Sequence, residues 1–449
     1  MQIFKKTSKL VYGLIFGVIF SVAFTGCRDA GYKYDRGLFI IAIDGVRPDI
    51  IAQTDTPTID RLKEEGVYNM AARATVPTQT RVNFVTIPTG VHADKHGVVG
   101  SAYMNERWQY RSTDYPDYRG AQRNVPVPTI FEVIEREQGL KTGYIATKGY
   151  ELVGGRGAGH QVKVADYIRP EVWDNRYEKE VDGSEEKALQ LKKELDEVAY
   201  ELMVEAVRDN GVEMFIANLA ALDYVGHQHG VEPEFTDAYQ RTLKKADAHL
   251  GNFLEFLEDG NYFKELTVIF TSDHGFTQIL TPKNIILDSG RGEPDIPKLG
   301  EAGIEHAGMS RGGSAFSLFI RDEDRVEEAY NTVKSKEWVE NIYSEHDLPG
   351  LTGTLSDLNY YNPPRTGDFF IDVMPTHTVV FESHGQHGSS TDRDLLIPHI
   401  FAGTGINLDA TLENSENVDI APTALTVLGI NPDEHLKAQG RVLEEILID

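Results

Sequence analysis

Residues Leu38 to Gly45 read LFIIAIDG, an unbroken apolar run that ends in an aspartate and a glycine. Such a run is typical of a strand buried on both faces of a parallel sheet. Comparable apolar runs occur at Thr142–Ala146, Met214–Leu219, Leu266–Phe270 and Leu396–Ala402. Helical patterns separate them along the chain. This alternation predicts an α/β fold with a doubly wound, mostly parallel central sheet and helices on both faces.

The predicted helices lie between these strands. Thr56 and Pro57 open one helix that runs through Glu65, with the threonine as cap and the proline at the first position. The others are Arg81–Ile87, Pro128–Arg136, Glu185–Asn210, Phe235–Leu257 and Ile420–Leu428. Residues 101–127 lack a clear period and are interpreted as a surface loop. Residues from about 277 to 370 are interpreted as a loop-rich insertion over the site, with a helical piece near 324–334.

Charge and cysteine content limit the possible partners. The chain has 449 residues and a formal net charge of -26, which argues against binding nucleic acid duplexes through a basic face. A small anionic substrate remains compatible, because bound metal ions reverse the field locally. The only cysteine is Cys27, so the sequence offers neither a disulfide framework nor a thiolate metal site. Any metal must be held by histidines and carboxylates.

The N-terminus has the pattern of a targeting segment. Lysines precede an apolar stretch from Leu10 to Phe24, and Gly26 stands directly before Cys27. This resembles a bacterial lipobox, with residues 1–26 as signal peptide, Cys27 as the lipidated first residue and 27–36 as a tether to a catalytic domain at 37–449. It implies a lipid-anchored protein of the bacterial cell envelope, facing the periplasm or the outside. The alternatives are an ordinary cleaved signal peptide and an uncleaved anchor.

A second decisive segment runs from Ala74 to Gly100. Thr78, Gln79 and Thr80 form an N-cap cluster before the predicted helix that starts at Arg81. Thr80 is therefore expected where backbone N–H groups and the positive end of the helix dipole converge, which suits a phosphate or an anionic alkoxide. The alternative is that Thr80 only caps the helix.

Candidate metal ligands follow or lie near the ends of the apolar runs. They are Asp44, Asp223 with His227, Asp273 with His274, and His387. The carboxyl ends of strands in an open parallel sheet share one edge, where ligands bind. Carboxylate and imidazole without thiolate suit Zn²⁺ at a catalytic site. These six side chains suffice for two ions with three ligands each, an arrangement that clamps the attacking and leaving oxygens at phosphorus.

The order of short motifs extends this interpretation. The motifs are Ile43–Arg47, Thr56–Asp60, Pro77–Thr80, Thr89–Gly90 with His96–Gly97, Asp223–His227, Ser272–Gly275, Gly385–Gly388 and Asp419–Thr423. Together they resemble the type I phosphodiesterase/nucleotide pyrophosphatase family of the alkaline phosphatase superfamily. The resemblance covers nearly all of the mature chain and implies an alkaline phosphatase-like fold.

The resemblance also implies a cofactor set of two Zn²⁺ per chain. One ion would be held by Asp223, His227 and His387, and the other by Asp44, Asp273 and His274, with Thr80 as its nucleophilic ligand. His384 is a rival for His387, which is preferred because Gly388 and Ser389 follow it as in the family. His96 would be structural.

Three departures from the family pattern concern the phosphate clamp. Arg81-Val82-Asn83 stands where members usually have Phe-Pro-Asn, Ser101 stands where many carry a phosphate-binding asparagine, and Pro88 should loosen the last helical turn. Lys148 falls where the related phosphonoacetate hydrolases carry a substrate-binding lysine, although a solvated loop lysine is the alternative. The candidate substrate-binding residues are therefore Arg81, Asn83, Ser101, Asn105 and Lys148.

These expectations give one leading function and several alternatives. The leading function is a di-zinc phosphodiesterase or nucleotide pyrophosphatase that acts on a small-molecule phosphate ester or anhydride through a phospho-threonine intermediate. Close alternatives are a phosphomonoesterase and a phosphonoacetate hydrolase. The alternative of another class is a non-catalytic surface lipoprotein that uses the fold for binding. A sulfatase is disfavoured because its Cys/Ser-x-Pro-x-Arg signature is missing.

The lipobox interpretation predicts the behaviour of a Cys27→Ser variant. Without the thiol no lipid can be attached, so the variant should lose both lipidation and processing by the lipoprotein signal peptidase. Metabolic labelling with a fatty acid and membrane fractionation measure both effects. Unchanged processing and membrane retention would show that Phe24–Cys27 is not a lipobox.

Overall fold

The computed structural model describes residues 31–112, 125–148, 154–164, 185–283, 286, 296–379 and 382–448. The predicted signal peptide, Cys27 and the start of the tether lie outside the described residues. The strands are β1 (Tyr34–Ile43), β2 (Gly66–Arg73), β3 (Ala102–Met104), β4 (Tyr110–Ser112), β5 (Thr142–Ala146), β6 (His160–Lys163), β7 (Met214–Leu219), β8 (Phe263–Thr271), β9 (Thr277–Gln278), β10 (His306–Ser310), β11 (Ala315–Ile320), β12 (Val339–Tyr343), β13 (Phe369–Val373), β14 (Gly385–Gln386) and β15 (Leu396–Gly403).

A seven-stranded sheet in the order β2-β15-β8-β1-β7-β5-β6 forms the centre of the fold. The pairings β1–β7, β1–β8, β5–β6 and β5–β7 are parallel. Only β15 runs the other way in this described sheet, antiparallel to both β2 and β8. The predicted doubly wound, mostly parallel α/β fold is confirmed.

Strand β1 lies at the middle of this sheet and explains the apolar run of the sequence. Every side chain from Leu38 to Ile43 is fully buried. Phe39, Ile41 and Ile43 enter the core on one face, whereas their neighbours at 38, 40 and 42 enter the core on the other. In register, Ile43 pairs with Leu219 of β7 and Ala42 with Thr271 of β8. The residues that follow these three strands therefore meet at one edge of the sheet.

Helices cover both faces of the sheet. They are α1 (Pro48–Ile51), α2 (Pro57–Glu64), α3 (Thr80–Thr89), α4 (Ala93–His96), α5 (Ile130–Gln138), α6 (Glu185–Arg208), α7 (Ala221–His229), α8 (Ala238–Asp259), α9 (Pro297–Glu301), α10 (Val326–Val333), α11 (Asp392–Leu395), α12 (Ile420–Val427) and α13 (Pro432–His435). Helices α2, α6 and α8 pack on one face and α3, α5 and α12 on the other. Within the described ranges, no helix has both the length and the apolarity needed to cross a bilayer.

Helix α3 is buried on all sides, which the sequence pattern does not show. All of its side chains are buried, from Thr80 to Thr89. Phe84 and Ile87 enter the core beneath the sheet, while Val82 packs with Ala315 and Phe370 of a second sheet. Pro88 does not end the helix, which continues to Thr89 and is capped by Gly90 in a left-handed conformation.

The segment predicted as a loop-rich insertion contains more regular structure than expected. Strands β10, β11, β13 and β12 form a four-stranded antiparallel sheet in that order. Its strands are short, and β11 pairs with β13 about fifty residues later, so no local period reveals them. Similarly, β3 and β4 form a hairpin inside the predicted surface loop, of which residues 113–124 lie outside the described part.

Candidate active site

The predicted metal ligands converge at the carboxyl edge of the central sheet. Asp44 follows β1, Asp273 and His274 follow β8, and Asp223 lies in the first turn of α7, just after β7. The other ligands come from α7 and from the loop after β14. Asp44, Asp273 and His274 are fully buried. Parallel register thus brings together side chains that are far apart in sequence.

The first group of ligands consists of Asp223, His227 and His387. Their ligand atoms all lie within 4.8 Å of one another. The Nε2 atoms of His227 and His387 lie 3.3 and 3.4 Å from Asp223 Oδ1. Each ring uses its other nitrogen on the backbone: His227 Nδ1 contacts Gly385 O at 2.8 Å, and His387 Nδ1 contacts Thr78 O at 2.8 Å.

The second group consists of Asp44, Asp273, His274 and Thr80. His274 Nε2 lies 3.3 Å from Asp273 Oδ2 and 3.5 Å from Asp44 Oδ1. Thr80 Oγ1 lies 3.3 Å from His274 Nε2 and 3.5 Å from Asp44 Oδ1. The ring again uses Nδ1 on the backbone, where it contacts Gly275 O at 2.8 Å.

The protonation pattern of these histidines shows that the site fits metal ions. A carbonyl oxygen only accepts, so each Nδ1 carries the proton and each Nε2 presents a lone pair in the neutral ring. For His274, burial and the neighbouring His387 hold the pKa well below its usual range, which keeps the ring neutral. Its Nε2 lone pair therefore faces the oxygens of Asp44 and Asp273, which also carry only lone pairs when these groups are ionised. A cation removes this conflict, and the arrangement of Nδ1 on a backbone carbonyl is that of metal-bound histidine.

The buried carboxylates lead to the same conclusion. Asp273 Oδ2 and Asp223 Oδ1 have no hydrogen-bond donor in the described part of the chain. Burial, together with the charge of Asp44, raises the pKa of Asp273 well above its usual range. Burial also raises the pKa of Asp44 to about 6, although Lys148 opposes the shift. Such crowded carboxylates are stabilised as anions only by cations nearby.

Lys148 is a buried member of the site and not a solvated loop lysine. Its Nζ lies 2.6 Å from Asp223 Oδ2, 2.8 Å from Asp44 Oδ2 and 3.3 Å from Thr80 Oγ1. Only 5% of the residue is exposed. Burial alone would raise the pKa of Asp223, but the charge of Lys148 holds it well below its usual range. Lys148 therefore links both ligand groups to the threonine hydroxyl.

An aromatic side chain that the sequence analysis missed packs against the histidines of the site. Phe276 is fully buried and lies 5.0 and 5.3 Å, between ring centroids, from His227 and His387. Glycines surround it because a Cβ at Gly45 or Gly385 would lie 2.8 or 2.9 Å from its ring carbons. A Cβ at Gly45 would also be strained, since its φ is +75°. Gly45 and Gly385, which belong to different motifs, thus both leave room for the Phe276 ring.

Other supporting residues were also missed. Asn218 donates from Nδ2 to Asp44 Oδ2 at 2.9 Å, and the Tyr239 hydroxyl donates to the carbonyl of Gly45. The rings of His274 and His387 stack at 3.7 Å between centroids and join the two ligand groups. Asn218 is the last residue but one of β7, in a run that also fits a buried strand, so only its position near the sheet edge marks it as part of the site.

The remaining substrate-binding candidates lie in different environments. Arg81 is buried, with 3% exposure, directly after Thr80. The Asn83 side chain is hydrogen-bonded to the backbone of Thr75: its Oδ1 accepts from Thr75 N, and its Nδ2 donates to Thr75 O. Ser101 is exposed, and Asn105 Oδ1 accepts from backbone N–H groups in the turn between β3 and β4. Asn83 and Asn105 therefore act in structural hydrogen bonds in this conformation.

The competing histidines are separated by their surroundings. His384 is exposed, whereas His387 lies in the first ligand group. His96 is fully buried and contacts Thr86 Oγ1 through Nε2, while its Nδ1 accepts from Val98 N. Burial lowers the pKa of His96 to about 3, so the ring stays neutral in a structural role.

Thr78 does not cap α3, contrary to the sequence-based expectation. Its hydroxyl donates to Ser389 O at 2.8 Å and accepts from Gly388 N at 3.0 Å. His387 Nδ1 also contacts the backbone carbonyl of Thr78. These contacts with Thr78 hold the loop that carries His387 in place. Gln79 occupies the N-cap position of α3 with extended backbone and no side-chain cap.

Comparisons with known proteins agree with this geometry. Residues 38–394 match the family model described as type I phosphodiesterase/nucleotide pyrophosphatase. Ectonucleotide pyrophosphatase/phosphodiesterase family member 7 of Rattus norvegicus is 23% identical over 407 residues, which cover 88% of this chain and 84% of the relative. A mutant of alkaline phosphatase PafA superposes with a TM-score of 0.69 at 16% identity, covering 92% of this chain and 99% of the other.

A further solved structure is that of murine ectonucleotide pyrophosphatase/phosphodiesterase 5, an inactive threonine-to-alanine variant in complex with AMP. Its TM-score is 0.67 at 15% identity, covering 92% of this chain and 100% of the other. At such identities the structural likeness establishes the fold, which is alkaline phosphatase-like. The family model spans most of the chain and contains the sheet edge with all of its converging side chains. The chain therefore belongs to the type I phosphodiesterase/nucleotide pyrophosphatase family, a family of phosphoric ester hydrolases.

Proposed function

We propose that this protein is a di-zinc phosphodiesterase or nucleotide pyrophosphatase with Thr80 as its nucleophile. The observation that carries the proposal is the position of Thr80 Oγ1, 3.3 Å from both His274 Nε2 and Lys148 Nζ at the start of a buried helix. A plain helix cap would direct its hydroxyl toward backbone N–H groups of its own helix. This hydroxyl instead faces metal-ligand atoms and a cation.

The two ligand groups define which residues would hold the ions. Asp223, His227 and His387 would hold one Zn²⁺, and Asp44, Asp273 and His274 would hold the other, with Thr80 beside it. Bound there, the ions would supply Lewis acidity and would lower the pKa of the threonine hydroxyl. The donor set contains oxygen and nitrogen atoms only, which suits zinc at a catalytic site.

The chain itself supplies the covalent step. The Thr80 oxygen attacks phosphorus, the new Oγ–P bond forms, and the bond from phosphorus to the leaving oxygen breaks. Water then attacks phosphorus: a new P–O bond forms, the Oγ–P bond breaks, and a proton from the water restores the Thr80 hydroxyl. Lys148 Nζ lies 3.3 Å from Oγ1 and would bind a phosphoryl oxygen during both steps. The positive end of the α3 dipole lies at Thr80 and also stabilises negative charge on the phosphoryl group.

The substrate class follows from the family and from the charge of the site. The rat relative is named as a nucleotide pyrophosphatase/phosphodiesterase, and the murine structure contains AMP. A nucleotide or another small phosphate ester or anhydride is therefore the proposed substrate. The proposed location is the bacterial cell envelope, where a lipid on Cys27 would anchor the enzyme to a membrane. A non-catalytic binding protein would not need a nucleophile beside the ligand groups.

A phosphomonoesterase is the second candidate, because of Lys148. A monoester carries one more negative charge on its phosphoryl group than a diester does, and a second cation beside the nucleophile favours that charge. Lys148 is also where phosphonoacetate hydrolases have a binding lysine, so a phosphonate belongs in the same substrate panel.

The choice between diester and monoester is tested with Lys148→Met. If Lys148 serves a monoester, kcat/KM for p-nitrophenyl phosphate should fall about 100-fold, and that for bis(p-nitrophenyl) phosphate about 10-fold or less. Lys141→Met is the control, because Lys141 is exposed and its Nζ donates to a backbone carbonyl, Asn210 O at 3.2 Å. Equal losses on both substrates would contradict a charge-selective role for Lys148.

The metal assignment is tested by zinc analysis of purified variants. His387→Ala should lose about one Zn²⁺ per chain and most activity, since it removes one of three protein ligands. His384→Ala is the matched control, because it removes a nearby exposed histidine and should leave zinc and rate close to the wild type. The assignment is refuted if His384→Ala loses zinc and His387→Ala keeps it.

The nucleophile is tested with Thr80→Ala. This variant should keep its fold and nearly all of its zinc but lose on the order of 10³-fold in kcat, since only metal and binding contributions remain. Thr80→Ser should keep part of the rate, because the attacking oxygen remains. Acid quenching during turnover should trap the phosphoryl group, with its remaining ester substituent when the substrate is a diester, on the peptide that contains Thr80.

Thr89→Val is the control for that experiment. Thr89 lies at the end of the same helix, where its hydroxyl donates to Val85 O at 2.6 Å. Valine keeps its shape, so kcat and zinc content should stay close to the wild type. Wild-type turnover by Thr80→Ala, or trapped phosphate on another residue, would exclude the covalent threonine mechanism.

A further inference from the structure

A buried aspartate on a neighbouring helix contacts the start of α7. Asp196 lies on α6, and only 2% of the residue is exposed. Its Oδ1 accepts a hydrogen bond at 3.1 Å from the backbone N–H of Ala221, the first residue of α7. Helix α7 carries Asp223 and His227, which are two of the three side chains in the first ligand group. Asp196 is therefore joined to that group through the backbone of one helix.

The electrostatic surroundings of Asp196 show that this contact matters to the carboxylate. Burial raises the pKa of Asp196 to about 7, the N–H groups of Ala221 and Ala220 oppose the shift, and the charge of Asp44 adds to it. Among the described residues, no lysine or arginine contributes to this shift. The N–H donors and the positive end of the α7 dipole therefore supply the compensation that a buried carboxylate needs.

Helix α7 has no capping side chain of its own. Its N-cap residue is Ala220, and neither Ala220 nor Ala221 has a polar side chain. Asp223 lies in the first turn, but its Oδ2 is 2.6 Å from Lys148 Nζ and its Oδ1 belongs to the first ligand group. The first N–H groups of a helix have no partner within the helix, so those of α7 depend on Asp196.

Apolar packing alone does not define where α7 lies along its own axis. Leu222 and Val225 are fully buried, but apolar contacts are not directional. Hydrogen bonds are directional, so the bond to Asp196 defines the start of the helix, two residues before Asp223. His227 lies one turn later on the same face, so a displacement of the helix start would move both ligands.

We propose that Asp196 is a positioning residue of the metal centre, which holds the start of α7 so that Asp223 and His227 have the geometry for the first Zn²⁺ before the ion binds. Ligand distances in metal sites tolerate deviations of only about 0.2 Å, so a small displacement of α7 weakens binding. Asp196 acts through the helix and not as a ligand. This inference rests on the proposed function and adds to it a residue outside both ligand groups.

The chain contains a matched control for this role in Asp247. Asp247 is 1% exposed on α8, and its carboxylate accepts from Thr58 N at 3.1 Å and Ile59 N at 2.8 Å at the start of α2. The N-cap residue of α2, Thr56, forms no side-chain cap either. Helix α2 carries no member of either ligand group. Asp247→Asn therefore removes the same kind of bond from a helix that does not hold the metal.

The test measures zinc affinity in both variants by competition with a chelator, at mildly alkaline pH where Asp196 is ionised. Asp196→Asn should bind one of its two Zn²⁺ about 10- to 100-fold more weakly, which is the range for partners that orient metal ligands. Asp247→Asn should keep wild-type affinity for both ions, even if the two variants lose the same thermal stability. Equal affinity losses in both variants, or wild-type affinity in Asp196→Asn, would overturn the inference alone. A wild type that binds no zinc would refute the proposed metal centre and the inference with it.

Hydrogen exchange on the metal-free wild type tests the same role without a variant, and it decides the inference if Asp196→Asn does not fold. The N–H groups of Ala220 and Ala221 should be protected before zinc is added, as those of Thr58 and Ile59 are at the start of α2. Exchange at α7 as fast as in an unfolded chain, with protection only after zinc is added, would show that the ion and not Asp196 holds the helix.

Discussion

The candidate active site depends on one electrostatic constraint, the concentration of lone pairs at the carboxyl edge of the sheet. Asp44, Asp223 and Asp273 are buried there together, and histidine Nε2 atoms approach their oxygens at 3.3 to 3.5 Å. Each Nδ1 is held by a backbone carbonyl, so rotation of the ring cannot relieve the contact without losing a hydrogen bond. The packing thus prepares a site whose stability requires cations.

Packing around Phe276 keeps this arrangement in place. The ring contacts the histidines of both ligand groups, and glycines from separate motifs leave room for it. His274 stacks on His387, so a displacement of a histidine in one ligand group would also displace a histidine in the other. The hydroxyl of Thr78 closes the arrangement by holding the His387 loop against the start of α3.

The sequence predicted the parts of this site that follow from local pattern. The apolar run Leu38–Ile43 marks a central strand, and an aspartate directly after it lies at the edge where ligands bind. Phe276 and Asn218 could not be found in this way, because a buried phenylalanine or asparagine has no distinctive spacing. Their roles come from contacts between segments far apart in the chain. The antiparallel insertion sheet was missed in part for the same reason, since β13 pairs with β11 and β12 from earlier parts of the chain.

The charges of the site explain how an acidic protein can bind an anionic substrate. The three buried aspartates and Lys148 leave the site with an excess of two negative charges when all four groups are ionised. Two divalent ions would more than compensate this excess and would leave a positive site for a phosphoryl group. Because Thr80 is only 3% exposed, water screens these charges weakly and each counts for more than it would at the surface. The net charge of the whole chain therefore does not set the sign of the potential at the nucleophile, which the few groups around Thr80 determine.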